Sequence, residues 1–250
     1  MNSQRTEVIY GLHAVRALLT RHPERVAHVY LQQGRHDARA DEIEQLARAA
    51  GRDVTRVDAR QLQARLGEAV HQGIVAEVAP LAAWSEEQLL EAVTASAQPL
   101  LLALDGVQDP HNLGACLRTA DACGVLAVIV PRDRAAPLNA TARKVAAGAA
   151  ESTPVVTVTN LARTLALLKG AGLWIAGADA QATLPAHEVD LTGPRVLVMG
   201  AEGSGLRQLT RRHCDWLVRL PNLGAVQSLN VSVATGMLLY EALRQRGAPA

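Results

Sequence analysis

The chain has no phenylalanine, and its few tryptophans and tyrosines bring the aromatic content to only 2%. An array of ring platforms stacking on successive bases is therefore not its means of recognition. Cysteine is scarce too. Cys116, Cys123 and Cys214 form no CxxC pair and would leave one thiol over in any disulfide scheme. Neither disulfides nor a zinc site is expected, and a reduced compartment fits best. Lysine is nearly missing, Lys144 and Lys169 being the exceptions among cations that are otherwise arginine. The opening MNSQRTEVIYG lacks the apolar stretch of a secretory signal, and no apolar run is long enough to span a bilayer. These absences lead to the expectation of a cytoplasmic protein without a membrane partner. A formal net charge of +1 excludes bulk charge as the grip on a polyanion. Local clusters such as Arg132, Arg134, Arg143 and Lys144 suit either phosphates or ordinary surface pairs.

What is present is apolar material, 49% of 250 residues, enough for one large or two smaller cores. Residues 1–79 alternate helical and strand-like segments and read as a small α/β domain. GLHAVRALLTRH places Leu12, Val15, Leu18 and Leu19 on one helical face, and AHVYLQ, DVTRVD and GIVAEV read as strands. Residues 80–98 read as a connector with a helix opened by a Ser85/Gln88 capping box and stopped at Pro99. In residues 99–250 the runs LLLAL, VLAVIVP, PVVTVT, LWIAGAD, RVLVMG and DWLVRLP are continuously apolar, as strands buried on both faces should be. Alternating with helices, they predict a parallel sheet whose ligands bind outside the carboxyl ends of the strands.

Three loops at such ends carry polar residues. After LLLALD comes GVQDPHNLGACLRTA, where Asn112 is suited to cap a helix and Arg118 follows within the first turns. A cation there opposes the helix dipole and so calls for an anionic partner, which a functional ligand and a structural ion pair supply equally well. After RVLVMG comes the loop Gly200–Leu206, whose three glycines let a backbone come close to a ligand. Their order is not GxGxxG and no phosphate-loop lysine is present, which weakens dinucleotide and triphosphate readings. Glu202 also repels phosphate, but it could orient Arg118 or a ribose hydroxyl. After WLVRLP come NLGAVQ and a helix, with Ser228 a possible N-cap and Asn230 read as lying just inside, where asparagine usually needs a specific partner.

Asn112-Leu113-Gly114 with Arg118-Thr119, the run Val198–Leu206, and Leu220-Pro221 with Ser228–Ala234 resemble, in order, the three motifs of the SpoU family of RNA 2′-O-ribose methyltransferases. The stretch Ala142–Val145 with Ala147-Gly148-Ala149 and Glu151 is also similar to a family segment, with alanine at position 147 where serine is frequent. Val8–Gly11 with Ala14-Val15, and His71–Ile74, resemble the substrate-binding domain joined to many of these enzymes, itself similar to a ribosomal protein that grips RNA. The layout is most similar to the bacterial subfamily that methylates a guanosine ribose in the P-loop of 23S ribosomal RNA; related members modify transfer RNA or other ribosomal sites.

The resemblance implies a carboxy-terminal trefoil-knotted methyltransferase domain and a small amino-terminal RNA-binding domain. It implies S-adenosylmethionine as cofactor, held by backbone contacts at Gly200, Leu220 and Leu229. It further implies a homodimer acting on 23S ribosomal RNA, in a precursor or early assembly particle, with neither DNA nor a metal involved. Arg118 would hold the acceptor ribose, with Glu202 orienting it and Asn112, Ser228 and Asn230 fixing these groups and the donor. Two other readings stand beside this one: a nucleotide-dependent enzyme of the doubly wound type, and a noncatalytic RNA-binding or assembly factor.

Overall fold

The computed structural model describes residues 6–35, 37–66, 72–80, 83–225 and 228–247. His71, and the Val226-Gln227 pair of the third loop, lie outside the described residues. In chain order the elements are β1 (Glu7–Tyr10), α1 (Leu12–Arg21), β2 (Val26–Gln32), α2 (Ala38–Ala49), β3 (Asp53–Val57), α3 (Ala59–Leu66), β4 (Ile74–Val78), α4 (Glu86–Ala95), β5 (Leu100–Asp105), α5 (Pro110–Ala122), β6 (Ala127–Pro131), α6 (Ala140–Ala146), β7 (Val155–Val158), α7 (Leu161–Gly170), β8 (Trp174–Ala178), β9 (Leu184–Pro185), β10 (Arg195–Gly200), α8 (Gln208–His213), β11 (Trp216–Arg219) and α9 (Val231–Gln245). The chain forms two compact units, Met1–Ala82 with Leu138–Ser152, and Ala83–Pro137 with Thr153–Ala250.

The first unit is built on a four-stranded sheet in the order β1-β4-β2-β3. β4 runs antiparallel to both β1 and β2, while β3 joins β2 in parallel. Val15 and Leu18 of α1 and Ile43 of α2 are buried against Val29, Leu31 and Ile74, the helical face that the spacing of Leu12, Val15, Leu18 and Leu19 predicts. The segment Leu138–Ser152 joins this unit through Glu151, whose almost fully buried carboxylate receives Arg25 Nη1 and Arg143 Nη1, each at 2.5 Å. Three charges buried together hold only while all are paired, so removing any one should cost more than the group contributes in place. Gly148 permits this approach: a Cβ there would lie 2.6 Å from Ala17 Cβ.

The second unit holds a seven-stranded sheet in the order β7-β6-β5-β10-β8-β11-β9, every pair of it parallel. β5, β6 and β10 are buried almost throughout, which is why their sequences are continuous apolar runs rather than alternating ones. α4 belongs here. Its Ser85/Gln88 capping box is present in both directions, Leu89 and Val93 enter the sheet's core, and Glu86 accepts a hydrogen bond from Thr164 at 2.6 Å. No helix of the described residues is long and apolar enough to cross a membrane.

Candidate active site

β5 and β10 are neighbours with Asp105 and Gly200 in register, so the loops leaving them start side by side. The α5 loop is closed by Asp109, whose carboxylate accepts from the His111 amide at 2.9 Å. Pro110 follows at the first helical position, where its missing N–H costs nothing. The expected cap at Asn112 is therefore corrected: Asp109 takes that task and Asn112 is free to turn outward. α9 corrects a second expectation. Its N-cap is Asn230, not Ser228, and Asn230 Oδ1 accepts from the Ser232 amide at 2.9 Å and from the Ser232 hydroxyl at 2.6 Å. With the carbonyl oxygen committed to the helix, the Asn230 amide nitrogen must face away from it.

That nitrogen donates to Glu202 Oε1 at 2.6 Å and to Asn112 Oδ1 at 2.9 Å. Asn112 Nδ2 donates to the same Glu202 oxygen at 3.2 Å, as does the Val231 amide. One carboxylate oxygen thus ties together residues from all three loops. No hydrogen bond reaches the other, Oε2, among the described residues. The loop presenting Glu202 is a tight reversal, with Ala201 and Gly205 exchanging backbone hydrogen bonds of 3.1 and 2.9 Å and Gly203 at φ +77°. Gly200 is required by the chain itself, since a Cβ there would collide with the backbone of Gly205 and Leu206. The missing side chain at Gly200 thus makes room for the loop's own return.

Arg118 is exposed and has no hydrogen bond or ion pair among the described residues. Two arguments made for it from sequence change. It is the ninth residue of a 13-residue helix, past the stretch where a cation opposes the dipole. No hydrogen bond or ion pair joins Glu202 to it among the described residues, the engaged oxygen of Glu202 serving Asn112, Asn230 and Val231. Ser228 is exposed, while Leu220 and Leu229 are half-buried on either side of the third loop. Beneath the network Cys116 and Thr235 meet at 3.4 Å, linking α5 to α9; burial pushes the Cys116 thiol up to about 11. Sequence reasoning missed one pair here, Asp105 with Arg207. Its signal was a carboxylate closing an otherwise apolar strand, LLLALD.

The profile of the SpoU rRNA Methylase family matches residues 99–240, which include all of these loops. The chain belongs to the SpoU rRNA methylase family. Residues 8–84 match a second profile, RNA 2′-O ribose methyltransferase substrate binding. Among the relatives of this SpoU member is the 23S rRNA (guanosine-2′-O-)-methyltransferase RlmB of Pseudomonas aeruginosa, 58% identical over 96% of this chain and 97% of that protein. The Escherichia coli K12 protein of the same name is 52% identical over 96% and 99%. Among solved structures, the SpoU methyltransferase AviRb of Streptomyces viridochromogenes in complex with AdoMet superposes with a TM-score of 0.79, at 25% identity, over 97% of this chain and 91% of that one.

Proposed function

We infer that the chain transfers a methyl group from S-adenosylmethionine to the 2′-hydroxyl of a guanosine in 23S ribosomal RNA. The observation that carries this reading is the junction of the three motif loops at Glu202 Oε1, with Arg118 exposed and unengaged among the described residues on the helix that carries Asn112. The identity of the RNA follows the full-length relatives. The third loop fits the donor: Leu223, Gly224 and Ala225 are exposed and make no backbone hydrogen bond among the described residues, so their amides and carbonyls are free for an adenine edge. Half-buried Leu220 and Leu229 and the backbone of Gly200 would complete that cradle. When bound, the donor supplies an electrophilic methyl on a sulfonium.

The reaction then asks the chain for positioning and for a proton acceptor. Arg118 presents a planar guanidinium fork. It holds the ribose and its phosphate and stabilises the developing alkoxide. Glu202 Oε2 is the acceptor left open in the network, while Asn112 and Asn230 hold the carboxylate through Oε1. Ser228 fixes the donor at the mouth of the site. The first unit grips the RNA, in a precursor or early assembly particle in the cytoplasm, and the working protein is a homodimer. Its second unit follows a trefoil-knotted path, as its membership of the family implies. The test is transfer from radiolabelled donor to unmodified 23S ribosomal RNA and to transfer RNA, with the label mapped. Label at one guanosine ribose of 23S RNA is expected. Label in transfer RNA alone would remove the substrate assignment, and RNA binding without any transfer would favour the noncatalytic reading.

A further inference from the structure

One ionic arrangement at the same sheet edge has no part in the methyl-transfer chemistry above. Asp105 ends β5 with its side chain fully buried. Its Oδ2 accepts from the Arg207 amide at 2.8 Å, and Oδ1, buried and without a hydrogen bond among the described residues, faces Arg207 Nε at 3.4 Å. A carboxylate at this depth is costly unless paired, so Asp105 fixes both the backbone and the guanidinium of Arg207. That guanidinium is not itself buried, its side chain being 39% exposed. It lies over Gly106 (φ +87°), where a Cβ would come within 3.3 Å of Arg207 Nη2 and 3.7 Å of Ala201 Cβ, the neighbour of Glu202. Nη2 also donates to the Asp133 carbonyl at 3.4 Å.

The loop so touched carries two more arginines. Arg132 and Arg134 are both exposed. Among the described residues the Arg132 side chain has only a 3.7 Å pairing with its solvent-exposed neighbour Asp133, a weak restraint. Arg134 has no hydrogen bond or ion pair among the described residues. Its φ of +58° lies in the left-handed region, which a long side chain occupies only when the surroundings hold it there. Its carbonyl faces Gly106, 3.7 Å from the Cβ position. Exposed arginines on two adjoining loops, joined where Arg207 Nη2 meets the residue before Arg134 and one of them fixed by a buried carboxylate, suit the two-pronged recognition of a phosphate.

We propose that Arg207, braced by Asp105, and Arg134 form a phosphodiester subsite that grips the RNA backbone beside the nucleotide being methylated. This rests on the reading of the chain as an RNA methyltransferase. Arg207 and Arg134 touch the RNA; Asp105 is a positioning residue acting through Arg207.

The experiment uses the full chain, a fluorescently labelled transcript of a 23S ribosomal RNA fragment and a salt titration, with donor binding followed separately by calorimetry. Arg207→Ala and Arg134→Ala should each weaken RNA binding about tenfold and lower the slope of log Kd against log salt by about one. Donor affinity should stay within about twofold of the wild type. Arg207→Lys should fall between, having charge without a fork. Arg163→Ala, an exposed arginine on α7, should leave affinity and slope unchanged. Arg134→Ala keeps the test clean should Arg207→Ala disturb folding. Wild-type RNA affinity and slope in both alanine variants of an active enzyme would overturn the subsite alone. So would loss of donor affinity with an unchanged salt slope, which would assign the pair to the cofactor loop. A wild-type chain that binds RNA but transfers no methyl would remove the underlying reading instead.

Discussion

At the scale of single residues, the site separates groups held in place from groups left open. Glu202 is held through one oxygen by Asn112, Asn230 and the Val231 amide, so its two oxygens can be tested apart. Glutamine at position 202 keeps a carbonyl oxygen for those donors but loses the second acceptor. Glu202→Gln should therefore bind S-adenosylmethionine within a fewfold of the wild type and lose turnover by about a hundredfold or more, in the range general-base groups contribute. Calorimetry and single-turnover transfer measure the two. A Gln variant with near-normal turnover would show that Oε2 accepts no proton. Arg118 is the open group, with no partner to compensate for its loss among the described residues. Arg118→Ala should abolish transfer without changing the melting temperature, and Arg118→Lys should be severely impaired because a point charge cannot replace a two-pronged grip. Alanine turnover close to the wild type would leave Arg118 an ordinary surface charge.

At the scale of elements, α9 connects the site to the rest of its sheet. Its first turn is capped by Asn230, and its last turn is latched by Gln245, which accepts from the Leu191 amide at 2.7 Å and donates to the Val189 carbonyl at 3.0 Å. Glu241 steadies that latch, accepting from Gln245 at 2.7 Å and from both ends of the Arg244 fork. The Arg244 hydrogen bond holds the Glu241 carboxyl at about 2, below an ordinary 4.5. A depressed carboxyl contributes stability above its unfolded value and loses it as pH falls through the folded one. With Arg244 largely in solvent, the contribution is about 1 kcal/mol after screening. Glu241→Gln should be less stable than wild type by that amount at pH 7, and the gap should close between pH 4.5 and 2. Urea midpoints at several pH values check this; a constant gap would mean that the charge is idle. The same element shows what the sequence made legible. Apolar runs marked six of the seven strands of the larger sheet because burial on both faces leaves no alternation, and the two-residue β9 escaped for want of any run. Asn112, Glu202 and Asn230 were legible as polar residues at strand ends. Their mutual hydrogen bonds were not, because cap positions depend on where the helix actually begins. That Gly200 makes room for its own loop was not legible either, because nothing local reveals that the loop folds back over its own strand.

At the scale of the whole molecule, the proposed homodimer turns on which face of α9 is left over. Its apolar residues run around much of the helix, and the sequence alone does not tell an interface from a core. The structure divides them. Val231, Leu238, Leu239 and Ala242 are buried within the second unit, with Leu238 and Leu239 at 0% exposure, while Val233 is 52% and Tyr240 is 68% exposed. Met237 is intermediate. Val233, Met237, Tyr240 and Arg244 follow at helical spacing, so one stripe of α9 presents apolar surface to solvent in a single chain. Leu238, which the sequence offers equally as a contact, is therefore the wrong probe: arginine there would sit uncompensated in the core and unfold the unit. Tyr240→Arg and Val233→Arg place the charge on the exposed stripe instead. Each should leave the melting temperature of the isolated chain little changed, convert dimers to monomers at micromolar concentration, and reduce methyl transfer together with dimer content as protein concentration is lowered. Light scattering and activity across a dilution series follow the two quantities in the same samples. A wild type that is monomeric at micromolar concentration and fully active would overturn the dimer, and Arg variants that remain dimeric would move the contact off this stripe.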